Sequence, residues 1–160
     1  MKLSHVDQAG RARMVDVADK PVTVRTATAE GTIRMSREAF RLIADQAVAK
    51  GDVLAVSEVA GTLAAKRTAD LVPLCHPLGL DQVEVEATLD EALPGVRVRA
   101  AAKAVGRTGV EMEALTAVSV ALLTVYDMVK AADRSMEIQA VRLLEKTGGT
   151  RGDWRRAADR

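Results

Sequence analysis

The longest apolar stretch of the chain, residues 108–131, is closed at both ends by groups able to move protons. Glu111 and Glu113 stand at one end, Asp127 and Lys130 at the other. In a helix of about 100° and 1.5 Å per residue, Glu113, Thr116, Val120, Thr124 and Asp127 fall within a wedge of roughly 60°, so the hydrophilic strip carries two acids. Carboxylates beside an amine suit general acid–base work. The plainer reading makes Glu113 a first-turn acid favoured by the helix dipole, and Asp127 with Lys130 an i, i+3 pair on a solvated end. Pro73 and Pro77 bracket Leu74, Cys75 and His76 and hold them stiffly. Cys75 and His76 are either a ligand clamp or a buried thiol beside a hydrogen-bonded imidazole. Lys146, followed by Thr147, Gly148 and Gly149, either brings a backbone close to a phosphate or simply makes a turn. The motifs GxxxxGK[ST], GxGxxG and HExxH are absent.

These groups need elements to hold them. Residues 114–126 are apolar on nearly every face, which predicts a core helix; acids and a lysine end the run short of the about 20 apolar residues a membrane span requires. Residues 81–89 and 95–105 alternate apolar and polar side chains around DEALP and predict an antiparallel hairpin. Residues 21–35 alternate Val22, Val24, Thr26 and Thr28 with polar or small partners, a half-buried strand in which Gly31 suggests a bulge or turn. Ser36 is placed to cap a helix with Phe40, Ile43, Ala44 and Ala47 inward and Gly51 as its stop. Asp52 caps a second, with Val56, Val59, Ala60 and Leu63 inward and Gly61 permitting close approach. Residues 135–149 predict a last strand, and residues 150–160 a charged tail. Strand, two helices, two strands, helix, strand is the βαββαβ order of an α+β, ferredoxin-like antiparallel sheet with helices on one face.

Length bounds the rest: 160 residues make one domain. Aromatic residues are only 2% against 48% hydrophobic, so the core is built from small aliphatic side chains and the chain gains by burying area against copies of itself. A homo-oligomer is expected. With 23 basic and 22 acidic residues interspersed, no broad electrostatic footprint for nucleic acid or a membrane surface exists. Cys75 is the only cysteine, which excludes an intrachain disulfide and a cysteine zinc cluster. Residues 1–10 lack the apolar core of a signal peptide, and the chain reads as cytoplasmic. Residues 1–13 are expected to be mobile and His5 solvated.

Four segments taken together carry a resemblance: KGDVLAVSEVAGTLAAKRTADLVPLCHPL (50–78), TGVEMEALTAVSVALLTVYDMVKA (108–131), LLEKTGG (143–149) and MVDV (14–17). They resemble the cyclic pyranopterin monophosphate synthase family, molybdenum cofactor biosynthesis protein C, over residues 5–152. The resemblance implies a lyase that converts 3′,8-cyclo-7,8-dihydroguanosine 5′-triphosphate to cyclic pyranopterin monophosphate and diphosphate, with no metal or cofactor in the step. It assigns Asp127 as catalytic acid or base with Lys130 near it. Leu74, Cys75, His76, Met112 and Glu113 match substrate-contacting positions, and Lys50, Lys66, Arg67, Glu111 and Lys146 match polar positions of the same pocket. It also implies a hexamer built from dimers, with the site at the dimer interface. Val129 stands where many members have Cys, and Thr150 where many have a basic residue. A rival reading, a silent metabolite-binding module, predicts binding of a guanine nucleotide without turnover.

Glu113 and Asp127 are 14 residues apart, about 21 Å along a helix. That is too far for one compact centre in one chain, so an antiparallel copy across a two-fold axis is expected to bring Glu113 of one chain to Asp127 of the other.

Overall fold

Period-two segments pair into a sheet of strands β1 (Thr23–Arg34), β2 (Gln82–Asp90), β3 (Gly95–Gly106), β4 (Glu137–Thr147) and the short β5 (Trp154–Arg155), in the order β2-β3-β1-β4-β5. Every pairing is antiparallel. Helices α1 (Arg37–Ala44), α2 (Val53–Lys66), α3 (Thr68–Leu71) and α4 (Glu111–Val129) complete the chain. A computed structural model describes residues 10–157; His5 and most of the segment expected to be mobile lie outside the described residues. The architecture is the ferredoxin-like α+β fold expected. The hairpin closes where DEALP predicts, with Asp90 opposite Gly95. Ser36 and Asp52 cap their helices by accepting from the backbone N–H of Ala39 and Ala55. Part of the segment expected to be a tail is a strand, since Trp154 and Arg155 pair with Lys146 and Glu145.

Which faces point inward differs from expectation in a consistent way. In β1 the buried parity is Arg25, Ala27, Ala29 and Ile33, while Val24 is 52% exposed. In α2 the buried residues are Val53, Ser57, Gly61, Ala64 and Ala65, and Val56, Val59 and Leu63 are exposed. In α1 Ala39 and Ile43 are buried, Ala44 and Ala47 are exposed, and the helix ends at Ala44 before Gln46 turns to φ 52°, well short of Gly51. The reason is shared: small side chains let α4 approach both β1 and α2, and the larger aliphatic groups are left outside. Gly31 sits in an unbroken stretch of β1 beneath Val118 and Leu122; the extra residue of the bulge opposite belongs to β4, where Ala140 has φ 51°.

Helix α4 is the centre of the core. It passes the length and composition test for a membrane span, yet Ala114, Ala117, Val118, Ala121, Leu122 and Val125 are buried against the sheet and α2. Gly61 is where α2 crosses it: a Cβ there would lie 2.9 Å from the Ala117 carbonyl oxygen and 3.0 Å from Val85 Cγ1. In an exposed helix Gly→Ala gains about 1 kcal/mol from propensity. Here overpacking at about 1–3 kcal/mol exceeds that gain, so Gly61→Ala is expected to lower the urea midpoint; an unchanged or raised midpoint would show that α2 has room to move.

Candidate active site

The turn leaving β3 brings the chain to the start of α4, whose N-cap, Val110, has no side chain to cap the first N–H groups. Such an end favours acids and anions. Around it opens a cavity of about 620 Å³, within the range of small-molecule sites. Its walls come from the stiff 74–78 loop, the 107–109 turn, the first turn of α4, Arg25 of β1 and the loop after β4. Leu74, Cys75, His76, Glu111, Met112, Glu113 and Lys146, all singled out from the sequence, line it together. Val15 and Val17 of the MVDV segment close another side.

Glu113 is 4% exposed. Burial pushes its carboxyl above the ordinary 4.5, partly offset by its own backbone N–H, and the negative charge of Glu111 adds to the rise. The group therefore holds its proton to higher pH than a solvated glutamate and can act as an acid. The Cys75 thiol is raised as well, first by burial and then by Glu113. A raised thiol is a poor nucleophile, and Cys75 forms part of the cavity wall.

At the far end of α4 the environment is the reverse. Asp127 accepts from Lys130 Nζ at 2.7 Å and from Lys50 Nζ at 2.7 Å, and Lys50 also reaches the Asp127 backbone oxygen at 2.9 Å. The side chains are half-exposed. The Lys130 hydrogen bond first, and that of Lys50 next, bring the Asp127 carboxyl down to about 2. It is ionised throughout the neutral range. Within one chain Asp127 stands about 21 Å along the helix from Glu113, and Asp127, Lys130 and Lys50 do not line the cavity. Lys66 and Arg67, exposed at the end of α2, do not line it either.

Several lining residues were not found from the sequence: Lys20, Arg25, Arg107 and Arg151. Arg107 precedes the Thr-Gly pair that opens α4, a signal that was available. Arg25 was hidden by the inverted parity of β1. Thr150 also lines the cavity, and its neighbour Arg151 supplies a cation there.

The family model described as the MoaC family matches residues 14–149. The chain belongs to the MoaC family. A Brucella ovis protein named cyclic pyranopterin monophosphate synthase is 60% identical over 153 residues, covering 96% of this chain and 93% of that protein. A Brucella melitensis protein of the same name matches equally, and one from Brucella canis is 59% identical over the same span. The resemblance carried by the four sequence segments is thus borne out. In this member of the MoaC family Val129 is fully packed into the core, which accounts for an aliphatic residue at that position.

The raised Glu113 carboxyl has a thermodynamic consequence. Its folded-state value lies above the unfolded one, so its contribution is favourable below about pH 4.5 and is lost as pH rises through the folded value. Glutamine mimics the neutral form at every pH. The melting temperature of Glu113→Gln minus that of wild type is therefore expected to grow from acid toward neutral pH in calorimetric scans; a difference independent of pH would mean that Glu113 carries no cost of buried charge.

Proposed function

We propose that the chain is a lyase of molybdenum cofactor biosynthesis that converts 3′,8-cyclo-7,8-dihydroguanosine 5′-triphosphate to cyclic pyranopterin monophosphate with release of diphosphate. Membership of the MoaC family and 60% identity to proteins named for this activity support the reading. So does the chemistry of the cavity. Rebuilding the cyclised base as a pyranopterin requires several proton transfers. Closing the cyclic phosphate requires cations around a departing diphosphate. Bond formation from a sugar oxygen to phosphorus accompanies breakage of the bond to the diphosphate, which leaves with the negative charge.

The observation that carries the arrangement is the division of the acid–base groups between the two ends of α4. Burial makes the Glu113 carboxyl a weaker acid than usual and two ammonium groups make that of Asp127 a stronger one, a pairing that lets one site give and take protons. In the proposed assembly two chains meet across a two-fold axis, and the cavity of one receives Asp127, Lys130 and Lys50 of the other. The outer helical face offers the surface for it: Val56, Val59, Leu63 and Leu123 are all at least 43% exposed and lie along α2 and α4, beside the strip that ends in Asp127. An exposed apolar stripe of this kind is the mark of an interface. Three such dimers make the expected hexamer, acting in the cytoplasm on a small-molecule substrate. The resemblance supports counting Lys66 and Arg67 among the polar groups of the shared site.

Two measurements test this. Supplied with the cyclised intermediate, purified protein should release diphosphate and cyclic pyranopterin, and Asp127→Asn or Lys130→Ala should slow turnover at least about 10²-fold, the scale for loss of a positioned proton-transfer group. Binding of the intermediate without any turnover would make the chain a metabolite-binding module instead.

Inactive Glu113→Gln and Asp127→Asn proteins, unfolded and refolded together, test the shared site. Random pairing makes roughly half the dimers mixed, each with one intact site, so roughly a quarter of wild-type activity should return. Confirmed chain exchange with no recovery would place both acids within one chain.

A further inference from the structure

The ladder between β1 and β4 ends at Arg34 opposite Glu137; continued by two residues, it would set Ser36 against Ser135. The two chains part there instead. One turns into α1 and runs on to Lys50, and the other arrives from α4 by way of Lys130. Where they separate, one carboxylate takes the place of further ladder bonds. Asp133 Oδ2 accepts from the Ser36 N–H at 2.7 Å, and Oδ1 accepts from the Ser135 N–H at 2.8 Å and from the Ser135 hydroxyl at 2.6 Å. The Ser135 hydroxyl first, and the Ser36 N–H next, hold this carboxyl below the usual range, so it accepts as a carboxylate throughout the neutral range. Asp133 is buried, and Met35 and Met136 beside the two serines belong to the hydrophobic core. Hydrogen bonds to an ionised acceptor are the strong ones, and here they join segments 97 residues apart.

The clasp matters for what the two segments carry. Helix α1 is short, buries Ala39 and Ile43, and packs only lightly on the other elements. Its start is set by Ser36, whose Oγ accepts from the Ala39 N–H while its own N–H is held by Asp133. Beyond its other end the loop carries Lys50, whose Nζ reaches Asp127 Oδ2 at 2.7 Å and the Asp127 backbone oxygen at 2.9 Å. Helix α4 supplies Asp127 and Lys130, and the Tyr126 hydroxyl donates to the Arg134 carbonyl at 3.0 Å, which ties the chain after α4 back to its last turns. Asp133 therefore sits at the junction between the segment that brings Lys50 and the helix that brings Asp127 and Lys130.

We propose that Asp133 is a positioning residue for the Lys50–Asp127–Lys130 group: by holding Ser36 and Ser135 on one carboxylate it fixes α1 and the Lys50 loop against the end of α4, so that Lys50 meets Asp127. This rests on the reading of that group as part of the synthase site, but its first test does not use turnover.

The experiment treats purified full-length protein with acetic anhydride and reads the acetylation rate of each lysine by mass spectrometry. In Asp133→Ala, Lys50 should react roughly 5-fold faster than in wild type, the scale of one lost hydrogen bond, while Lys103 on the open face of the sheet should react as before. Asp133→Asn, whose amide oxygen accepts from one partner while its NH2 opposes the other, should lie between. With the cyclised intermediate as substrate, Asp133→Ala should lower kcat about 10- to 100-fold, the scale for displacing a catalytic group by about 1 Å, and change KM less. A lowered melting temperature with Lys50 reactivity and kcat at wild-type values would make Asp133 a purely structural residue and overturn the proposal. A fall in kcat without faster Lys50 acetylation overturns it as well. Should Asp133→Ala fail to fold, Asp133→Asn decides: Lys50 reactivity equal to wild type overturns it. Faster Lys50 acetylation in the variants of a protein whose wild type shows no turnover would instead count against the synthase reading alone.

Discussion

The close approach of α4 to the sheet on one side and to α2 on the other is the constraint from which the rest follows. It is possible because the contact is made mostly of alanine, glycine, serine and valine, with Gly61 and Gly31 at the tightest points. Small residues let backbones approach and pack at native density without large voids. A helix fixed this firmly has both ends fixed too, and its ends carry the chemistry. Its first turn forms a wall of the cavity, and its last turn presents Asp127 to Lys130 and to Lys50 from the loop after α1.

The two ends treat a carboxylate in opposite ways for reasons that are local. Glu113 is surrounded by core and has Glu111 beside it, so charge is disfavoured there despite the favourable end of the helix dipole. Asp127 is open to solvent and gripped by two ammonium groups, so charge is favoured. Desolvation moves the first and hydrogen bonding the second. Neither effect needs the other end of the helix, so the difference is set within a single chain.

A core of small residues also decides what is left outside. Val24, Val56, Val59, Leu63 and Leu123 would be core residues in a fold packed around large side chains, but here they are exposed. The open face of the sheet differs: it carries pairs such as Glu30 with Arg142 and Arg34 with Glu137. The exposed Arg34–Glu137 pair adds little stability, while Glu30–Arg142 is partly buried. Apolar exposure is found on both sides, with Val56, Val59, Leu63 and Leu123 along α2 and α4, and Val24 with its partner Val105 on the sheet.

From the sequence alone the order and type of the main elements, the ferredoxin-like class, the two side-chain helix caps, the hairpin and the family were all legible, because periodicity, capping residues and motifs are local properties of the chain. The grouping of Leu74, Cys75, His76, Glu111, Met112, Glu113 and Lys146 was also legible, through the resemblance of the segments that hold them. What only the tertiary structure decided was which face of an element points inward. Alternation in β1 is equally regular for Val22, Val24, Thr26 and for Arg25, Ala27, Ala29, and hydrophobicity favours the wrong set. The choice is made by the distance at which α4 packs, a property of three elements at once. The same choice buried Arg25 and turned the valines of α2 outward, neither of which any single stretch of sequence encodes.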